Sequence, residues 1–219
     1  MGKKKKESPE NAIIQYRRGT MIHKCAVKIS EWCNKSLGDS EEERQVVQYG
    51  VEVILDTAVK AAVILLAGAL TGKLLAFAAV TAVFCSLRYW AGGIHCKTSF
   101  RCQIAMLGIC FISVYGAFLM EAAGKALLWF LAAACYLGMI LFAPGETEKG
   151  GFLPDYERKK KKIGAILWLT GELILIGFIG KLWWKWVLII PIFIETITIL
   201  LCKSGKEKTH EKHKSSEGN

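Results

Sequence analysis

Six stretches of this chain are apolar over lengths that match the hydrocarbon core of a bilayer, and they constrain the fold more than any other feature. They run over about 47–70, 74–90, 103–121, 126–143, 163–180 and 186–202. A helix needs roughly 20 apolar residues to cross that core. With 53% hydrophobic residues and a mean hydropathy of +0.32, the chain reads as a membrane protein with polar ends rather than a soluble globule. The expected fold class is all-α: a polytopic membrane protein with about six transmembrane helices, preceded by a cytoplasmic amphipathic helical arm. The second stretch is short and ends at Arg88, so tilting, snorkelling and re-entry are all open to it. The first 45 residues are charged, whereas a cleavable signal would carry its apolar region earlier, so none is expected.

Lysine and arginine set the orientation. Residues 1–46 carry ten, the region from Arg88 to Arg101 three, residues 144–162 six and the tail after Cys202 five, which places 24 of 29 on one side. Lys73, Lys125, Lys181 and Lys185 fall on the other, and Lys60 lies within the first stretch. Six spans with both termini cytoplasmic put every basic cluster inside. The expected divisions are an amphipathic basic arm (1–45), a transmembrane domain (46–203) that holds the loop over 88–102 and a basic cytoplasmic loop over 144–162, and a charged tail (204–219). The eight cysteines form no disulfide framework on this reading: Cys85, Cys110 and Cys135 sit in spans, and the others lie on or near the reducing side. A net charge of +10 distributed around spans fits anionic membrane lipid, and nucleic acid is not an expected partner.

Within the arm, Ile22, Cys25, Ala26, Ile29 and Cys33 share a helical face from which Lys24, Lys28 and Lys35 are excluded. Such a helix lies in the membrane interface or packs on the protein's own cytoplasmic face. Ser40 and Glu43 form a capping box that starts the first span. Glu52, Asp56 and Lys60 follow at intervals of four on one face. Two readings are open: an ion-pair ladder, or the lining of a catalytic cavity in which Glu52 or Asp56 orients a base. Glu172 and Glu195 raise the same question further on. The run from Arg158 to Lys162, with Lys159, Lys160 and Lys161 at its centre, is a positive-inside anchor or a docking loop for an acidic substrate segment. Trp183, Trp184 and Trp186 are expected in the outer aromatic belt.

The chemistry concentrates in Arg88-Tyr-Trp-Ala-Gly-Gly-Ile-His-Cys-Lys-Thr-Ser-Phe-Arg-Cys102. A histidine (His95) and a thiol (Cys102) at a membrane boundary, with cationic neighbours Arg88, Lys97 and Arg101, point to cysteine-based covalent catalysis. On one unbroken helix the seven-residue separation would be a rise of about 10.5 Å, too far for a base and a nucleophile to meet. The chain must therefore turn between them, or the pair must form across a dimer. Gly92-Gly93 marks the break, so the turn is expected over about 92–98, with Cys102 in the first turn of the third span. Three other readings are open. A metal on His95, Cys96 and Cys102 lacks the four ligands at paired spacing that a tetrahedral site wants. Cys102 is otherwise a packed, inert thiol, or Cys96 is the nucleophile, although adjacent side chains seldom point together. No metal and no cofactor are expected.

The segment resembles the accessory gene regulator B (AgrB) endopeptidases of Gram-positive bacteria. The resemblance rests on Arg88, then Gly92-Gly93-Ile94-His95, then Ser99-Phe100-Arg101-Cys102. It extends to Phe142-Ala143-Pro144 with its following basic run and to Ile192-Phe-Ile-Glu195-Thr-Ile-Thr198. It implies an enzyme of the bacterial cell membrane that acts at the cytoplasmic face on an AgrD-like propeptide. It implies Cys102 as nucleophile, His95 as its base and acid, Arg88, Gly93 and Ser99 as supporting positions, a thiolactone product and a homodimer. One departure is Lys149-Gly150-Gly151, where relatives often carry a Lys-Pro step. The alternative reading from the residues is a small peptide transporter or channel-like protein, with positions 52, 56, 172 and 195 lining a path.

Overall fold

A computed structural model describes residues 41–93, 98–145 and 155–217, with side chains over 46–93, 98–145 and 156–202. Among the described residues there are six helices and no strand: α1 (Glu41–Leu70), α2 (Leu74–Ala91), α3 (Ser99–Glu121), α4 (Gly124–Phe142), α5 (Asp155–Phe178) and α6 (Leu182–Glu217). The all-α class is as expected, because a segment in hydrocarbon must satisfy its own backbone hydrogen bonds. Five helical segments are long and apolar enough to cross a membrane: Val46–Leu70, Leu74–Ala91, Ser99–Glu121, Gly124–Phe142 and Leu182–Cys202. The arm over 1–40 with its capping Ser40, His95 with Cys96 and Lys97, and the stretch 146–154 lie outside the described residues.

α5 differs in detail from the expectation of a sixth apolar span. It begins at Asp155, so the basic run Arg158–Lys162 occupies helical turns rather than a loop. Lysine and arginine are good helix formers, and nothing between Asp155 and Ile163 breaks the helix. Only residues 163–178 remain apolar, interrupted by Glu172.

The chain divides into residues 1–63 and 64–219. In the first unit, Lys60 Nζ donates to Asp56 Oδ2 at 2.6 Å, one turn apart, as the ladder reading expects. In the second unit α6 is the hub, packing against α2, α3, α4 and α5. Trp186, Val187, Ile189, Ile192, Glu195 and Ile199 are buried along it. Trp186 is thus a core residue and not part of the outer belt. The helices approach closely at small residues, as packing in lipid favours. A Cβ on Gly138 would stand 2.7 Å from Thr196 Cγ2, and one on Gly164 would overlap the Trp90 ring.

Side-chain contacts fix the level of each helix within this unit. At one end, Lys73 Nζ lies 5.3 Å and 5.2 Å from the ring centres of Phe118 and Trp183. Lys185 Nζ lies over Trp129 at 5.6 Å and donates to the Gly177 carbonyl at 3.1 Å. Arg88, Gly93, Gly145 and Glu195 gather at the other end. α5 runs antiparallel to α2 and α4: Gly164 meets Trp90, Thr170 Oγ1 meets Tyr136 Oη at 3.2 Å, and Gly177 meets Trp129. Its apolar section therefore extends from one end of the bundle to the other.

Candidate active site

α2 delivers Arg88 in its last turn and ends at Ala91. Gly92 and Gly93 then take φ values of 75° and 124°, a region that side-chain-bearing residues rarely enter. This turn is joined to the segment after α4 by a short parallel bridge between Gly92 and Gly145. Gly93 N donates to Gly145 O at 3.1 Å, and Gly145 N donates to Ala91 O at 2.8 Å. A Cβ on Gly92 would stand 2.5 Å from the Gly145 carbonyl oxygen, so only glycine permits the approach.

Below the turn, Arg88 Nη1 donates to Glu195 Oε2 at 3.1 Å. Thr198 Oγ1 shares its one proton between the Glu195 carbonyl at 2.8 Å and the same Oε2 at 3.1 Å. Glu195 is fully buried, while the Arg88 side chain is 24% exposed. A buried carboxylate is tolerable only with such partners. Its other oxygen, Oε1, has no hydrogen-bond partner among the described residues. A Cβ on Gly93 would lie 3.0 Å from that oxygen, 3.2 Å from Thr198 Oγ1 and 3.6 Å from Arg88 Nη1. The carboxyl thus fills the space a side chain at 93 would need.

The chain re-enters helix at Ser99. Thr98 is extended and caps α3, its Oγ1 accepting from Arg101 N at 3.3 Å. Cys102 N donates to Thr98 O at 3.2 Å. Cys102 carries a free, exposed thiol at the start of α3, where a helix presents partial positive charge. α2 thus ends at Ala91 and α3 begins at Ser99, with Cys102 in the opening turn of α3 as expected, while residues 94–97 of the expected turn lie outside the described residues.

The structure brings Arg88, Gly93 and Glu195 together. It does not describe His95. Ser99 is exposed at the first position of α3. Glu52 and Asp56 belong to the unit over residues 1–63, where Asp56 pairs with Lys60. Lys159 and Lys160 are exposed on the early turns of α5, and Lys161 is half-buried. Two contributors went unread in the sequence. Thr198 shares a face with Glu195 three residues earlier. Cys85, one turn before Arg88, lies within electrostatic reach of Arg88, Cys102 and Glu195. Both signals were present as helical spacing but lacked a partner in sequence. A second buried carboxyl, Glu172, faces the other side of α2: Ser86 Oγ and Trp168 Nε1 both donate to its Oε1 at 3.0 Å.

Comparison with known proteins matches residues 24–199 to the family described as AgrB, accessory gene regulator B. An AgrB-like protein of Listeria innocua is 31% identical over 144 residues, covering 64% of this chain and 70% of the relative. The accessory gene regulator protein B of Staphylococcus carnosus is 29% identical over 135 residues, covering 62% and 69% respectively. No solved structure matches the chain. With a family match over most of its length, this chain belongs to the accessory gene regulator B family.

Proposed function

We propose that this protein is a membrane cysteine endopeptidase that matures a quorum-sensing peptide. Cys102 is the nucleophile and His95 its base and acid, with Arg88, Gly93 and Ser99 in support. The substrate is an AgrD-like propeptide, and Lys159, Lys160 and Lys161 attract its acidic segment. The enzyme works as a homodimer in the bacterial cell membrane, with both termini and the active site at the cytoplasmic face. The transmembrane part over 46–203 does the chemistry, between the basic arm (1–45) and the tail (204–219).

His95 takes the thiol proton as the Cys102 sulfur attacks the carbonyl carbon at the cleavage point. The carbon–nitrogen bond breaks, and the departing amine receives the proton from His95. The C-terminal tail leaves, and the remainder stays on Cys102 as a thioester. An internal thiol of the peptide then attacks that thioester, closes a thiolactone ring and returns Cys102. One thioester replaces another, so closure is near balance provided water is kept out.

The observation that supports this reading most is the exposed thiol of Cys102 in the opening turn of a capped helix, directly after the glycine break. Cys110 and Cys135 are packed away and Cys85 is exposed within a span, whereas Cys102 is exposed at the start of a helix. The test is intact mass spectrometry of the purified protein incubated with an AgrD-like propeptide encoded beside it. The expected result is tail release with a hydroxylamine-labile adduct, both lost in Cys102→Ala and His95→Ala. Cleavage by Cys102→Ala would refute the assignment. Peptide export that survives both changes but fails on loss of Glu172, with no tail released, would favour the transport reading.

A further inference from the structure

Glu195 is a charged group in the bundle's interior whose purpose the chemistry above leaves open. Its Oε2 takes both donors, Arg88 Nη1 and Thr198 Oγ1, each at 3.1 Å. Its Oε1 is enclosed without a hydrogen-bond partner among the described residues. That oxygen lies against Gly93, at 3.0 Å from the position a Cβ would take. On its other side, the Gly93 backbone donates to the Gly145 carbonyl at 3.1 Å. The turn is therefore gripped between a buried ion pair and the segment that follows α4. His95 is two residues further along the chain, and two residues reach at most about 7 Å.

Stability alone is a poor explanation for the pair. A buried ion pair replaced by apolar side chains of similar volume is often neutral or stabilising. Here one carboxylate oxygen also has no donor among the described residues, in a segment where charge is costly. The arrangement instead defines where one short piece of backbone can stand.

We propose that Glu195, held by Arg88 and Thr198, is a positioning residue of the peptidase, fixing the Gly92–Gly93 turn so that the histidine base meets the Cys102 thiol. This rests on the endopeptidase reading above. Glu195 acts through Gly93 and Arg88, the groups its carboxyl meets. It takes the orienting role for which Glu52 and Asp56 were also candidates.

The test compares wild type, Glu195→Gln, Thr198→Val and His95→Ala as full-length protein in lipid nanodiscs. One readout is the rate of Cys102 alkylation by iodoacetamide as a function of pH, resolved from the other thiols by peptide mapping. The other is kcat and KM for tail release. Glu195→Gln is expected to shift the alkylation profile onto that of His95→Ala. It should lower kcat by on the order of 100-fold, the effect of displacing a catalytic group by about 1 Å, with KM unchanged. Thr198→Val keeps the Arg88 pair but removes one donor to Oε2, and should move the profile part of the way. An alkylation profile that remains wild type in Glu195→Gln overturns the proposal. Should that variant fail to accumulate, an unmoved profile in Thr198→Val does the same. The alkylation readout needs no peptide. A wild-type protein that releases no tail therefore counts against the endopeptidase reading, while the alkylation comparison still decides the role of Glu195.

Discussion

Replacing Gly93 by alanine tests the site with a single methyl group. At φ 124° a residue bearing a Cβ is strained by about 1–3 kcal/mol. The added carbon would also press on Glu195 Oε1 at 3.0 Å and Thr198 Oγ1 at 3.2 Å. If the turn stays in place, the cost appears as stability. If the turn relaxes, the Gly93–Gly145 hydrogen bond and the line of the chain into His95 are lost. About 2 kcal/mol taken from transition-state alignment is about 30-fold in rate, since each 1.36 kcal/mol is tenfold. The assay is the tail-release rate on an AgrD-like propeptide in nanodiscs, with the thermal midpoint measured alongside. Gly72 supplies the control. Its φ is 67°, and a Cβ there would meet nothing within 4 Å. Gly72→Ala therefore carries backbone strain at the opposite end of the bundle without touching the turn, and should lower Tm by about 2–4 °C per kcal/mol while leaving tail release unchanged. Wild-type release by Gly93→Ala with an unchanged thermal midpoint, or an equal loss of release in Gly72→Ala, would refute the reasoning.

Two further outcomes follow from contacts away from the turn. Gly164→Ala drives a methyl group into the Trp90 ring and should destabilise the α2–α5 contact by about 1–3 kcal/mol in thermal unfolding, with Trp90→Leu in the same chain restoring most of the loss. Ser86→Ala removes one of the two donors to Glu172 Oε1 and should cost about 1–3 kcal/mol, with little further loss when Glu172 is also replaced by leucine.

The parts of this fold that were legible in the sequence are those that local physics decides. Apolar run length located the helices, and Gly92-Gly93 marked the break after Arg88. The distance between His95 and Cys102 required a turn, and the start of α3 at Ser99 fits it. What was not legible depends on partners far along the chain. Glu195 stood out as a charge in an apolar run, but its pairing with Arg88 spans 107 residues. The bridge from Gly92 to Gly145 has no marker beyond the glycines themselves. Trp186 differs from its neighbours Trp183 and Trp184 by its place around the helix. At 3.6 residues per turn it lies about 200° around the helix from Trp184, on the face that α6 turns to its neighbours. The charge of Arg158–Lys162 suggests a loop, but lysine and arginine favour helix and the run is helical.

α5 poses the sharpest topological question. Its apolar section, 163–178, rises about 24 Å at 1.5 Å per residue, short of a hydrocarbon core of about 30 Å. Five crossings would leave the two ends of the chain on opposite sides, and six on the same side. Two features argue for six. Gly164 lies against Trp90 at the Arg88 end, and Gly177 lies against Trp129 at the Lys73 end, so the helix reaches both levels. Lys162 and Lys181 flank the short section, and long side chains of this kind reach the interface from within the apolar zone, offsetting the mismatch. The measurement is labelling of single cysteines with a membrane-impermeant maleimide in intact cells, in a background where the other exposed thiols are replaced. Lys181→Cys and Lys73→Cys should label from outside, and Lys159→Cys only after the membrane is opened. If Lys159→Cys and Lys181→Cys label from the same side, α5 does not cross. The basic run would still share a face with Cys102, because α3 and α4 return the chain to that side, but α6 would then carry the charged tail to the opposite side, and the proposal of two cytoplasmic termini would fall.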